Sequence, residues 1–263
     1  MEKGLITLLT DFGTKDSYVG AIKGAILNIN PKAYIIDITH QIPPQSIFTA
    51  AFSMFNYYNY FPKDTVHMAV IDPGVGSHRK AVIVRTEKYY LVGPNNGIFT
   101  FVYSREKVIS AVEITNKDLL LPEISSTFHG RDVFAPAAAH LSMGVPMSKF
   151  GKPLTELSTV DLPKPVIGQT QITGRVIHVD RFGNAITNIG EPLFRDFTRS
   201  SSFIVELKRI RLQSIRSTYQ EAREGETIAL FGSAKLLEIS INGGDASEQH
   251  RIVSGDTVSV HKV

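Results

Sequence analysis

The run Gly4-Leu5-Ile6-Thr7-Leu8-Leu9 stops at the polar turn Thr10-Asp11-Phe12-Gly13, and a different periodicity begins a few residues later. Six largely apolar residues fit a buried strand. Val19, Ile22, Ile26 and Ile29 recur at helical spacing and predict a helix ended by Pro31, with Asp16 or Ser17 placed to cap it. The pattern then repeats. Ala33 to Ile38 reads as a second strand, the Pro43-Pro44 loop leads into a helix from about Ser46 to Tyr58, and Val66 to Ile71 is a third strand. That strand runs into Asp72-Pro73-Gly74-Val75-Gly76. Ala81 to Arg85 and Tyr89 to Val92 flank Thr86-Glu87-Lys88 as a hairpin. Continuous apolar strands alternating with helices predict an α/β fold, a mostly parallel sheet covered on both faces. Ligands of such sheets bind beyond the carboxyl ends of the strands, where Asp11 and Asp72 both stand.

Further along, Arg131 to Leu141 reads as a helix, with Pro136 tolerable only near its first turn. Prolines and glycines then recur without periodicity. Short alternating strands follow at 171–179, 184–189, 202–207, 226–230, 235–241 and 256–261, separated by turns such as Asn242-Gly243-Gly244-Asp245. The expected organisation is an N-terminal α/β catalytic domain over residues 1–155, a linker over 156–168 and a smaller all-β, barrel-like domain over 169–263.

Composition narrows the chemistry. The 263 residues are 43% hydrophobic and 20% charged, enough for a sizeable packed core. Cysteine is absent, which removes disulfides, thiolate nucleophiles and cysteine-ligated zinc. The net charge is +3, and the densest basic cluster, Lys208, Arg209 and Arg211, has no interleaved aromatics, so no nucleic-acid partner is expected. No apolar stretch approaches bilayer length and no cleavage signal follows the first residues, so no membrane association is expected and the chain reads as cytoplasmic.

Candidate site residues cluster in a few blocks. Asp11, with Asp16 and Ser17, would repel a phosphate at a helix start but suits a diol such as ribose; equally, these residues can simply end the strand and cap the helix. In Asp72-Pro-Gly-Val-Gly-Ser-His-Arg79 the glycines allow close backbone approach, and Arg79 can fold back onto Asp72; a purely structural turn explains the motif as well. His129, beside Gly130 at a helix start, can orient a water or be a capped surface histidine. Asn95, in Pro94-Asn95-Asn96-Gly97, is a turn residue or a base contact. Asp180-Arg-Phe-Gly-Asn184 is hairpin chemistry or a set of ligand hydrogen bonds. His40 reads as structural. The carboxylates lie on separate loops, with no metal-ligand spacing, so no metal is expected.

Six blocks in this order, Leu8-Leu-Thr-Asp-Phe-Gly13, Asp37-Ile-Thr-His40, Asp72-Pro-Gly-Val-Gly76, Gly93-Pro-Asn-Asn-Gly97, Phe128-His-Gly-Arg-Asp132 and Asp180-Arg-Phe-Gly-Asn184, resemble the S-adenosylmethionine hydroxide adenosyltransferases. These are the adenosine-forming S-adenosylmethionine hydrolases, relatives of the fluorinase and chlorinase. The resemblance covers nearly the whole chain. It implies in-line attack of water or hydroxide on the ribose C5′ of S-adenosylmethionine, giving adenosine and methionine without a cofactor. It implies Asp72, Arg79 and His129 as the triad that places the water, and Asp11 on the ribose hydroxyls with Asp16 and Ser17 beside it. Asp180 and Ser233 would face the methionine end, while Asn184 and the Asn242-Gly243 backbone would meet adenine. The halogenases carry tyrosine where Asp72 stands and serine where Gly130 stands, so this chain has the hydrolase residues. Gln45 and Ala234 depart from the fluorinase, which has tryptophan and arginine there. The resemblance also implies a homotrimer with sites shared between subunits. A non-catalytic S-adenosylmethionine- or adenosine-binding sensor and a chloride-dependent halogenase are the alternative readings.

Overall fold

The computed structural model describes residues 4–199 and 201–263, in two compact units that divide between Val160 and Asp161. In the first unit, strands β1 (Leu5–Thr10), β2 (Tyr34–Thr39), β3 (Val66–Val70), β4 (Ala81–Thr86), β5 (Tyr90–Pro94) and β6 (Val108–Glu113) form one sheet in the order β2-β1-β3-β5-β4-β6. β2, β1, β3 and β5 are parallel, while β4 runs antiparallel to both β5 and β6. The expected hairpin is present, and β6 extends the sheet beyond it.

Helices α1 (Tyr18–Ile29), α2 (Ile47–Tyr57), α3 (Thr100–Tyr103) and α4 (Ala135–Ser142) supply the two cores the sheet requires. Alternation along β1 separates them. Ile6 and Leu8 join Ile22 and Ile26 of α1 and Ala135, Ala138 and Ala139 of α4; Leu9 joins Ala50 and Met54 of α2 on the other side. Neither face of these central strands meets water, which is why their sequences are continuously apolar rather than alternating. Ser17 occupies the position before α1 but makes no side-chain capping bond, so the expected cap by Asp16 or Ser17 is not formed. α4 begins at Ala135 with Pro136 in its first turn, where a missing N–H costs nothing. The preceding residues, Gly130–Phe134, make a π-helical turn instead of the expected α-helix.

The second unit carries β7 (Val166–Ile167), β8 (Gln171–Val179), β9 (Ala185–Gly190), β10 (Phe203–Leu207), β11 (Ile210–Leu212), β12 (Ile215–Arg216), β13 (Thr227–Phe231), β14 (Leu236–Ile241) and β15 (Thr257–Lys262). The path β11-β10-β15-β8-β9-β14-β13-β12, with β7 on β8, is nearly barrel-shaped but open, since β11 and β12 end it rather than pairing. Short helices α5 (Glu191–Thr198) and α6 (Ala246–His250) interrupt the strands. Ile172, Val176, Ile189, Val205, Leu237, Ile239 and Val258 form its own buried core. Among the described residues no helix is long and apolar enough to cross a membrane.

Candidate active site

The carboxyl ends of β1 and β3 open into a cavity of about 670 Å³ lined by Asp11, Asp72, Phe128, His129, Gly130 and Arg131, with Tyr18, Gln45 and others around them. Each chemical group is held by loop geometry that the turn residues permit. Gly13, at φ +67°, donates its N–H to the His40 carbonyl at 2.7 Å, and the His40 ring bonds Thr10 Oγ1 at 2.8 Å. His40 therefore braces the Asp11 turn from behind, the structural role read for it. Asp11 Oδ2 accepts the N–H of Gln45 at 2.8 Å, with Gln45 in the left-handed region at φ +65°. A non-glycine residue held there costs free energy and marks a loop shaped by something other than its own preference.

Arg79 folds back onto Asp72 as the short Asp-Pro-Gly loop allows. Its Nε donates to Oδ1 and Oδ2 at 2.9 Å each, and its Nη2 donates to Oδ2 at 2.5 Å. Both side chains are largely shielded from solvent, and the guanidinium lies 5.2 Å from the centre of the Phe134 ring. The same Nη2 meets His129 Nδ1 at 2.7 Å. A guanidinium can only donate, so Nδ1 is the acceptor and a neutral His129 carries its proton on Nε2. Burial, with the adjacent Arg79 charge, holds the His129 ring below the usual imidazole range. The result is a chain of groups, Asp72–Arg79–His129, in which the two ends line the cavity and Arg79 stands behind them.

Two loops must touch for that chain to form. Gly76, at φ +74°, lies so close to Ser126 that a Cβ would overlap the Ser126 carbonyl oxygen. Asp132, fully buried, accepts the Ser125 N–H at 2.8 Å and the Arg131 Nε at 2.5 Å, holding the other loop in place. Asn96 Nδ2 bonds the Ile71 carbonyl at 2.8 Å, immediately before Asp72. Phe12, Tyr18 and Phe128 line the same cavity and pack against one another, tilted or edge-on, with centroids 5.2 to 6.1 Å apart. Sequence reasoning held Asn96 and Asp132 only as members of their motifs, without these bracing roles, and passed over this aromatic wall. Tyr18 and Phe128 stand 110 residues apart, and nothing in the sequence brings them together.

Of the other candidates, Asp16 and Ser17 are exposed and off the cavity wall. Asn95 lies elsewhere: its amide clamps the 156–158 segment through the Glu156 carbonyl and the Ser158 N–H. Asp180, Asn184, Ser233, Asn242 and Gly243 line a separate cavity of about 890 Å³ in the second unit. Asp180 is occupied by its own turn, accepting the N–H groups of Phe182 and Asn184 and the Asn184 amide, each at 2.9 Å. Asn184 is correspondingly buried. Glu238 and Tyr219 line the same cavity and went unnoticed in the sequence. Among the described residues no group of three or more histidine, aspartate or glutamate side chains is disposed to hold a metal ion.

Family models match both units. The one described as the SAM hydroxide adenosyltransferase N-terminal domain covers residues 6–151, and the C-terminal domain model covers residues 174–259. A protein named (R)-S-adenosyl-L-methionine hydrolase from Methanocaldococcus jannaschii is 40% identical over 250 residues, 90% of this chain and 88% of that one. Another of the same name, from Thermus thermophilus, is 36% identical, covering 92% and 94%. A fluorinase from an Actinoplanes species is more distant, at 25% identity over 98% of this chain and 97% of that one. A solved structure described as an uncharacterized conserved protein from Thermotoga maritima superposes with a TM-score of 0.92 at 37% identity, covering 98% of this chain and all of that one.

Proposed function

The chain belongs to the SAM hydroxide adenosyltransferase family, and on that premise we propose that it hydrolyses S-adenosylmethionine, with water attacking the ribose C5′ to release adenosine and methionine. The observation that carries the reading is the Asp72–Arg79–His129 chain, whose two outer groups face one cavity together with Asp11. The sulfonium is already a good leaving group, so the reaction needs neither an acid to protonate it nor a cofactor to activate it. What it needs is an oxygen nucleophile held in line with the C5′–S bond in a site that excludes bulk water.

The Asp72 carboxylate and the Nε2–H of His129 can receive from and donate to one water, and Arg79 fixes both of their orientations from behind. Asp11 has one carboxylate oxygen on Gln45 and the other open to the ribose hydroxyls. In the second unit, Asn184, Ser233, Asn242 and Gly243 supply contacts to the adenine and methionine ends. Asp180 contributes by shaping the turn that carries Asn184. The active assembly is a homotrimer in which one subunit's first unit and its neighbour's second unit complete each site. The relatives' names specify the (R) sulfonium epimer, and we extend that preference to this chain.

Incubation with each epimer in ¹⁸O-labelled water, followed by chromatography and mass spectrometry, tests the reaction. Adenosine and methionine should appear in equal amounts without added metal, faster from the (R) epimer, with the label in the 5′-hydroxyl. Methylthioadenosine, or a 5′-halogenated nucleoside in the presence of halide, as the main product would refute it.

A further inference from the structure

Two carboxylates line the cavity of the second unit, and they are bound very differently. Asp180 spends both oxygens on backbone and amide donors of its own turn. Glu238, on β14, is 6% exposed. Its Oε1 accepts the hydroxyl of Tyr219 at 2.6 Å and that of Ser240 at 3.1 Å. Its Oε2 receives no hydrogen bond and lies against Gly232, where a Cβ would overlap it. No lysine, arginine or histidine among the described residues pairs with it, although acidic neighbours such as Glu191 and Glu226 have cations of their own. A nearly buried carboxylate bonded only to hydroxyls is costly unless a cation arrives from elsewhere. Burial, then the bond to Glu238, pushes the Tyr219 phenol up to about 12, so the hydroxyl stays a donor and holds the carboxylate in place.

We propose that Glu238 is a substrate-binding residue whose Oε2 receives the α-ammonium group of the methionine portion of S-adenosylmethionine. This rests on the substrate reading above. The substrate has two cationic centres, and they differ in what a carboxylate would do to them. The sulfonium charge disappears as C5′–S breaks, so a carboxylate there would favour the ground state over the transition state and slow the reaction. The ammonium charge persists throughout. A carboxylate on it binds substrate and transition state alike, which lowers KM and leaves kcat unchanged.

Two variants separate this from a structural role. Glu238→Gln keeps an acceptor for Tyr219 while removing the charge. Gly232→Ala keeps the charge but displaces Oε2, a flexible side-chain end, so the backbone need not move. Calorimetry and steady-state kinetics are run on the wild type and both variants, with S-adenosylmethionine and with its desamino analogue. Each variant should weaken S-adenosylmethionine binding by about tenfold to a hundredfold, the range of a charge-assisted hydrogen bond, with kcat changed little. The analogue should bind all three proteins equally. Equal loss for both compounds, or loss for neither, overturns the assignment, and either variant suffices if the other does not fold. Should the wild type show this binding pattern yet release no adenosine, the hydrolase reading fails while the ammonium contact stands. If the wild type binds neither compound, both fall.

Discussion

A carboxylate that already accepts three contacts from one guanidinium, as Asp72 does from Arg79, has few lone pairs left with which to take a proton. In the proposed mechanism its work is therefore to aim a water rather than to deprotonate it fully, and the same holds for His129, whose Nδ1 is spent on Arg79. Asp72→Ala and His129→Ala should each lower turnover by about 10²- to 10⁴-fold while substrate affinity changes much less. Asp11→Ala should do the reverse and mainly weaken binding, since its open oxygen is the one proposed to meet the ribose hydroxyls. Single-turnover kinetics beside calorimetry distinguish the two, and near-normal turnover in Asp72→Ala would contradict the mechanism. The same geometry sets the pH profile. Protonating Nδ1 of His129 would set a cationic ring against Arg79, and burial with the Arg79 charge already holds its pKa below the ordinary 6.5. Activity should stay level as pH falls to about 6.5 and decline only below it. A decline already under way at pH 7 or above would mean that another group sets the limb.

At the scale of elements, β1 and β3 carry more than the site at their ends. His67 of β3 is fully buried, bonded through Nδ1 to Thr7 Oγ1 of β1 at 2.8 Å. The rings of Tyr57, Phe61 and Tyr89 lie 5.1 to 5.7 Å from it, centre to centre. Burial pushes its pKa from 6.5 down to about 3. Between those values the unfolded chain binds a proton that the folded chain does not, so stability is complete above pH 6.5 and is lost as pH falls toward 3. The slope is up to about 1.4 kcal/mol per pH unit. Urea unfolding of wild type and His67→Gln at pH 7 and pH 5 reads this directly. The wild type should lose about 2 kcal/mol more than the variant over that interval, and equal losses would show that His67 is protonated in the native state. Elements of this kind were legible as strands, because a run such as Val66-His-Met-Ala-Val70 is bounded by turn residues and buried on both sides. The π-turn at Gly130–Phe134 was not. It lies between Phe128 and His129, which line the cavity, and Pro136 in the first turn of α4, and helical periodicity carries no record of such a turn.

For the whole molecule, the proposed sharing of sites makes a prediction independent of the chemistry. Asp72→Ala and Asn184→Ala, each inactive alone, are unfolded together and refolded as a mixture. If each site takes its first unit from one subunit and its second from another, roughly a quarter of sites contain neither substitution and activity partly returns. A mixture as dead as its parents would place each site within a single chain. The division of labour between sequence and structure has a physical basis. Strand, turn and helix positions, and the order of the six blocks, follow from local periodicity, because which residues face a core repeats along the chain at 2.0 or 3.6 residues. From these alone came the placing of Asp11 and Asp72 at strand ends. Contacts between distant side chains have no such repeat. Arg79 meets His129 across 50 residues, and Tyr219 meets Glu238 across 19. The commitment of Asp180 to its own turn could have gone either way from the motif alone. Only the packed backbone decides which polar atoms are already satisfied and which remain for a ligand, because hydrogen-bond geometry depends on distances that sequence order does not encode.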